Sequence, residues 1–300
     1  MSLHLTEGPK LADLTTLRLG GRALAEVAVG DRKDLDGLPA MLERLGGRAM
    51  VLGRGSNILA ADGELPLVLV RPPAGGEPRL VDVKGDVVPG QTVRVRASAG
   101  MGLPRLLNWL RDRGLSGLEG LSGIPGSVGG AVAMNAGSYG HDIRRVLARV
   151  QLYCPGCGLF WAPREDLDMG YRHFAPRVRD DYFMVMAMEV DLVQGQARDV
   201  ARAMEEALTH KRSTQPVHLA TAGCVFKNPP DGPPAGKLLD EAGFKGLRLG
   251  DVGFADMHAN FLVNHGEGTA SQAFELLEQA RVSVNERFGV DLQLEVKVLA

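Results

Sequence analysis

Cysteine is scarce in this sequence, with three among 300 residues. That excludes a disulfide-stapled scaffold and agrees with a reducing compartment. Two of them, Cys154 and Cys157, flank Pro155-Gly156, the favoured centre of a type II turn, between the apolar segments VQLY and LFW. A zinc site needs a second Cys/His pair at ligand spacing, and the sequence has none. The CxxC is therefore expected to be a hairpin tip, with no metal and no redox role. No apolar run reaches the ~20 residues that span a bilayer. The opening MSLHLTEGPKLADLTTLRLGG has no charged segment followed by an apolar one, so it does not read as a secretory signal. A cytoplasmic chain without membrane contact is expected. The formal net charge is -2, which removes any bulk electrostatic case for nucleic acid.

Glycine is in excess, at 39 residues, roughly twice the usual ~7% share. It is neither periodic nor part of a low-complexity tract. Hydrophobic residues at 45% and charged residues at 23% describe an ordinary globular chain, and its length favours two or three domains. Helices are expected at about Asp31 to Leu45, from Pro104 to Gly114, from Asp199 to about Lys211, and from Ser271 to Phe288. Strands are expected at Met50-Val51-Leu52, LPLVLV, TVRVRAS, VLARVQLY, YFMVMAMEV and the closing LQLEVKVL. The fold class is α+β. A boundary falls near Gln215-Pro216, and the last strand is too short to stand alone, so it should pair back into an earlier domain.

Two glycine segments carry the chemistry. VLGRGSN, Val51 to Asn57, delivers Gly53 and Gly55 from a strand, with Arg54, Ser56 and Asn57 beside them. Residues without a β-carbon let backbone N–H groups approach an anion closely. GIPGSVGGAVAMNAG offers Gly123, Pro125, Gly126, Ser127, Gly129, Gly130, Ala133 and Asn135. No GK[ST] follows either segment, so neither is a P-loop. Ile58 stands where a third glycine would complete the dinucleotide fingerprint. Two such segments in one chain point to the diphosphate of a nucleotide held between them.

TLRLGG, VLGRGSN, GLSGLEGLSGIPGSVGGAVAMNAG, GYR, AGCVFKNP, KLLDEAGFKG, HANFLVN and LEVK, in that order and over nearly the whole chain, resemble the UDP-N-acetylenolpyruvoylglucosamine reductase family. The short spacing after GYR, without an extra tyrosine-bearing loop, resembles its compact subtype. The resemblance implies three domains. Two form a vanillyl-alcohol-oxidase-type FAD-binding unit, over 1–65, completed by 289–300, and over 66–214. An α+β substrate domain covers 215–288. It implies non-covalent FAD, NADPH as reductant, UDP-N-acetylglucosamine enolpyruvate as substrate, a role in peptidoglycan precursor synthesis, and a monomer or weak dimer.

By the same resemblance, Arg172 stabilises developing charge, Cys224 stands where the proton donor is often serine, and Glu295 is the last catalytic residue. Tyr171, Lys227 and Asn228 match the substrate side. A free thiol, with an ordinary pKa of ~8.5, is a stronger acid than an alcohol. Glu295 and Lys297, two apart on an expected strand, also read as an exposed ion pair. His258 and Trp109 read as structural, the latter among Leu103, Leu106, Leu107 and Leu110. The competing readings are another FAD-dependent oxidoreductase of the same superfamily and a non-catalytic nucleotide-binding module.

Overall fold

The computed structural model describes residues 3–83, 85–177 and 183–300. The α+β class holds, and the chain divides into two compact units. One takes Glu26–Arg54 and Val68–His210 with the residues up to Thr6, and the other takes Glu7–Ala25, Gly55–Leu67 and Lys211–Ala300.

The first unit is built on a six-stranded antiparallel sheet. Its path runs Gly158–Pro163, Leu147–Cys154, Met184–Gln194, Thr92–Ser98 and Arg79–Val81, with Leu115–Ser116 pairing to the central strand. The TVRVRAS alternation appears as Val93, Val95 and Ala97 buried while the arginines between them are not. Helix Leu103–Asp112 buries Leu103, Leu106, Leu107 and Leu110 in the same core, and Trp109 packs at its margin. On the sheet's other face, Glu189 is wholly buried between Arg96 and Arg149, accepting from their Nε atoms at 2.7 Å each. Trp161 lies under both guanidiniums. Burial opposes ionisation of Glu189, but the arginine hydrogen bonds outweigh it and hold the carboxyl below its ordinary value.

The second unit holds a four-stranded antiparallel sheet, in the order Ala220–Cys224, Phe261–Asn264, Val252–Phe254, Arg248–Leu249. Helices Ala235–Glu241 and Ala270–Phe288 share its core. The long helix starts in a capping box between Thr269 and Gln272, and Asp62 accepts from the N–H groups of Ala270 and Ser271. Gly289, at φ 68°, ends it as the sequence suggests.

Several expectations need correction. The helix expected over Asp31 to Leu45 is a 3-10 turn, Arg32–Asp36, followed by Leu38–Leu45, because Gly37-Leu38-Pro39 interrupts the ladder. The strand expected from Tyr182 begins at Met184, and Tyr182 lies outside the described residues. Cys154 and Cys157 do sit at a hairpin tip, but they are joined in a disulfide in which Cys224 takes no part. The tight turn explains it, since it brings their Cα atoms to 5.2 Å, within bridging range. The closing strand is only Lys297–Leu299, parallel to Ile58–Ala60, so Glu295 precedes it and the same-face pairing with Lys297 lapses.

Candidate active site

The two glycine segments meet in the first unit. A β-carbon on Gly53 would run into the Ser127 hydroxyl, so this contact demands glycine. Arg71 donates to the Gly53 carbonyl and also pairs with Glu26 at 3.0 Å, which fixes the turn from behind. The Arg54 guanidinium lies over Gly102, one residue before the leucine helix. Ser127 caps the short helix Val128–Ala133, accepting from the Gly130 N–H at 3.2 Å, while the Gly129 N–H donates to Ala99 at 2.8 Å. Gly129 and Gly130 are thus engaged in packing this helix, and Ala133 closes it. Gly123 and Pro125 line an open cavity of about 750 Å³ with Leu107, Ile124 and Met204, which none of Gly53, Arg54 and Ser127 lines.

Gly55, Ser56 and Asn57 belong to the second unit. Gly55 adopts φ 62°, and a β-carbon there would strike the Leu14 carbonyl. Strain and space both require glycine. Asn57 donates its amide to the Glu295 carbonyl at 3.1 Å, and its own carbonyl accepts from the Lys297 N–H at 3.0 Å.

Arg172 is held by an unusual turn. Strands Leu167–Gly170 and His173–Pro176 pair with Gly170 opposite His173, leaving Tyr171 and Arg172 as the turn. Arg172 has φ 52°, where glycine or asparagine is the ordinary occupant, and such strain concentrates at functional positions. Its guanidinium donates to the Gly137 carbonyl at 3.2 Å and stacks on Tyr171, itself 54% exposed. Asn135 anchors the hairpin base, donating to Gly170 at 2.8 Å and accepting from the Arg144 N–H at 2.9 Å. The glycine segment and the arginine turn are therefore bonded together, a link the sequence does not display.

In the second unit the structure brings Cys224, Lys227 and Glu295 into one neighbourhood. The register against Phe261–Asn264 slips between Thr221 and Cys224, with Gly223 at φ 81°. Such a bulge re-aims the following side chain. Cys224 is half-buried against Ala255, Phe261 and Val263. The Val225 carbonyl accepts from the Glu295 N–H at 2.8 Å, and Lys227 N–H donates to Gln293 at 2.8 Å. Asn228 accepts from the Ala235 N–H at 3.1 Å, at the start of the helix it precedes. His258 is half-buried with its basicity lowered by desolvation, and its Nδ1 accepts from the Asn260 N–H at 3.2 Å, consistent with a structural role. Among the described residues, no group of three or more His, Cys, Asp or Glu is placed to hold a metal ion. No described helix is long and apolar enough to cross a membrane.

Two closely apposed glycine turns fit the needs of a flavin dinucleotide, and residues 23–156 match the FAD binding domain model, so the class is a FAD-binding flavoprotein. Residues 215–299 match the C-terminal domain of UDP-N-acetylenolpyruvoylglucosamine reductase. The enzyme of that name from Nitratidesulfovibrio vulgaris is 51% identical over 99% of both chains, and that of Oleidesulfovibrio alaskensis is 50% identical over 98% of this chain and 97% of its own. The crystal structure of the Thermus caldophilus reductase covers all of both chains at a TM-score of 0.80 and 32% identity. The chain belongs to the UDP-N-acetylenolpyruvoylglucosamine reductase family.

Proposed function

We propose that this protein reduces the enolpyruvyl group of UDP-N-acetylglucosamine enolpyruvate to UDP-N-acetylmuramate, a step of peptidoglycan precursor synthesis, with FAD and NADPH. The observation that carries the reading is end-to-end similarity to reductases of that name together with apposed glycine turns in the FAD-binding region. Gly53 to Asn57 and the segment from Gly123 to Asn135 would hold the cofactor. Three domains, with 1–65 and 289–300 completing one another, 66–214 forming the second and 215–288 covering the substrate, remain the organisation proposed.

When bound, FAD supplies the hydride that NADPH provides. The substrate's vinyl group is conjugated to a carboxylate, so hydride arrival at its methylene drives negative charge onto the α-carbon and carboxylate. Arg172 meets that charge with a permanently ionised, forked donor. Its strained, anchored turn holds the guanidinium in place before substrate arrives, so little reorganisation is needed. The Cys224 thiol gives its proton to the α-carbon and is left as thiolate, which regains a proton from solvent before the next turnover. Glu295 assists the developing enolate from the adjoining segment. Lys227, Asn228 and Tyr171 bind the substrate's anionic and polar groups.

The test is direct. Purified protein should be yellow, bleach anaerobically with NADPH, and recover its colour when UDP-N-acetylglucosamine enolpyruvate is added. Colour that returns only with oxygen would instead identify an oxidase of the same superfamily.

A further inference from the structure

Between Cys224 and Lys227 the sheet changes partners. Strand Ala220–Cys224 pairs with Phe261–Asn264 as far as Cys224 opposite Phe261. Beyond that point one residue takes over on that side. The Val225 N–H donates to the Asn260 backbone carbonyl at 2.9 Å. The Asn260 side chain then grips Phe226 twice: Nδ2 donates to the Phe226 carbonyl at 2.8 Å, and Oδ1 accepts from the Phe226 N–H at 3.0 Å. Asn260 is 2% exposed, and its side chain serves as a substitute peptide group where the ladder would otherwise end. On the opposite side, Glu295 and Val296 donate to Val225, and Leu294 bridges Phe226.

We infer that Asn260 is a positioning residue for the protonation step, holding the Cys224–Lys227 segment in register between the central sheet and the segment that carries Glu295. The inference rests on the reading of Cys224 as proton donor. Three hydrogen bonds with one residue fix Val225 and Phe226, the two residues that follow the thiol. With Asn260 2% exposed, leaving these backbone groups unpaired would cost their desolvation. Loss of the amide frees Phe226, and displacements of about 1 Å at a reacting group cost about a hundredfold in rate. The half-reaction with NADPH uses none of these groups, so it should be untouched.

The experiment compares wild type, Asn260→Ala, Asn260→Asp and Cys224→Ala as FAD-loaded proteins. Stopped flow follows flavin reduction by NADPH and reoxidation by substrate separately, and iodoacetamide labelling of Cys224 is followed by peptide mass. Asn260→Ala should retain flavin and its NADPH rate, lose about ten- to a hundredfold in reoxidation, and label severalfold faster as the segment loosens. Asn260→Asp keeps the acceptor for the Phe226 N–H and should fall between the two, and it is isosteric if the alanine variant does not fold. Equal loss in both half-reactions, or labelling no faster than wild type, would overturn the positioning role. If Cys224→Ala blocks reoxidation while both Asn260 variants leave it unchanged, only this inference fails. If Cys224→Ala itself reoxidises normally, the proton-donor reading fails first.

Discussion

The glycine turns and the Cys224–Lys227 segment are built on opposite plans. At the turns, what matters is the absence of side chain: Gly53 lies against Ser127, Gly55 against Leu14, and a single methyl would intrude at either. At the thiol segment, position is supplied by bonds with sequence-distant residues, among them Asn260 on one side and Gln293 to Val296 on the other. A turn packed tightly against its neighbours tolerates no addition, whereas a segment held by bonds from distant residues tolerates no deletion. Substitutions should therefore fail for opposite reasons in the two places.

Deletion at the thiol segment should have the largest effect. Cys224→Ala is expected to slow steady-state turnover by ~10²–10⁴, the range of a lost general acid. Arg172→Lys asks whether the contrast follows the type of construction, since Arg172, in the same unit as Gly53, is proposed to act through its side chain. It keeps the charge but loses the fork, so kcat should fall by roughly 10² with FAD content unchanged. A variant that instead lost flavin would break the distinction. Addition at the turns is tested by Gly53→Ala, expected to weaken FAD binding at least ~10-fold by titration of apoprotein. Pairing it with Ser127→Ala removes the colliding hydroxyl, leaving an ordinary contact, and should recover part of the affinity. A loss that the second substitution does not relieve would mean that the steric account is mistaken.

The smallest effect is expected away from both regions. Glu189 has its folded-state pKa depressed by its two arginines, so its stabilisation is present above the ordinary carboxylate pKa of ~4.3 and is lost as pH falls through the folded value. Glu189→Gln should cost about 1–3 kcal/mol at pH 7. The gap in Tm should close towards pH 3, with turnover at neutral pH unchanged. A gap independent of pH would show that packing over Trp161, and not the ion pairs, is what Glu189 provides.

What the sequence made legible follows the same contrast. Glycine without a periodic pattern marked both turns, because a missing β-carbon is itself visible as a letter. Helix Leu103–Asp112 was readable from its leucine spacing, and helix Ala270–Phe288 from its periodicity and terminal Gly289. Asn260 and Asn135 were not legible as anchors, since an amide's bond to a backbone 34 or 35 residues away leaves no local trace. The bulge before Cys224 left one faint signal, a glycine inside a strand. The hairpin tip at Cys154–Cys157 is legible but its disulfide is not, because a plain turn and a bridged one can share the same four residues. Helix Ala235–Glu241 is too short, at seven residues, to establish a period of its own.

In the proposed mechanism backbone turns hold the cofactor and the thiol segment delivers the proton, so substitution should separate the two functions. Anaerobic stopped flow on Cys224→Ala tests it most directly, with the NADPH phase and the substrate phase recorded on the same preparation. Full flavin occupancy and a wild-type NADPH phase are expected, followed by a substrate phase slowed by ~10² or more. A variant slowed equally in both phases, or in neither, would contradict it.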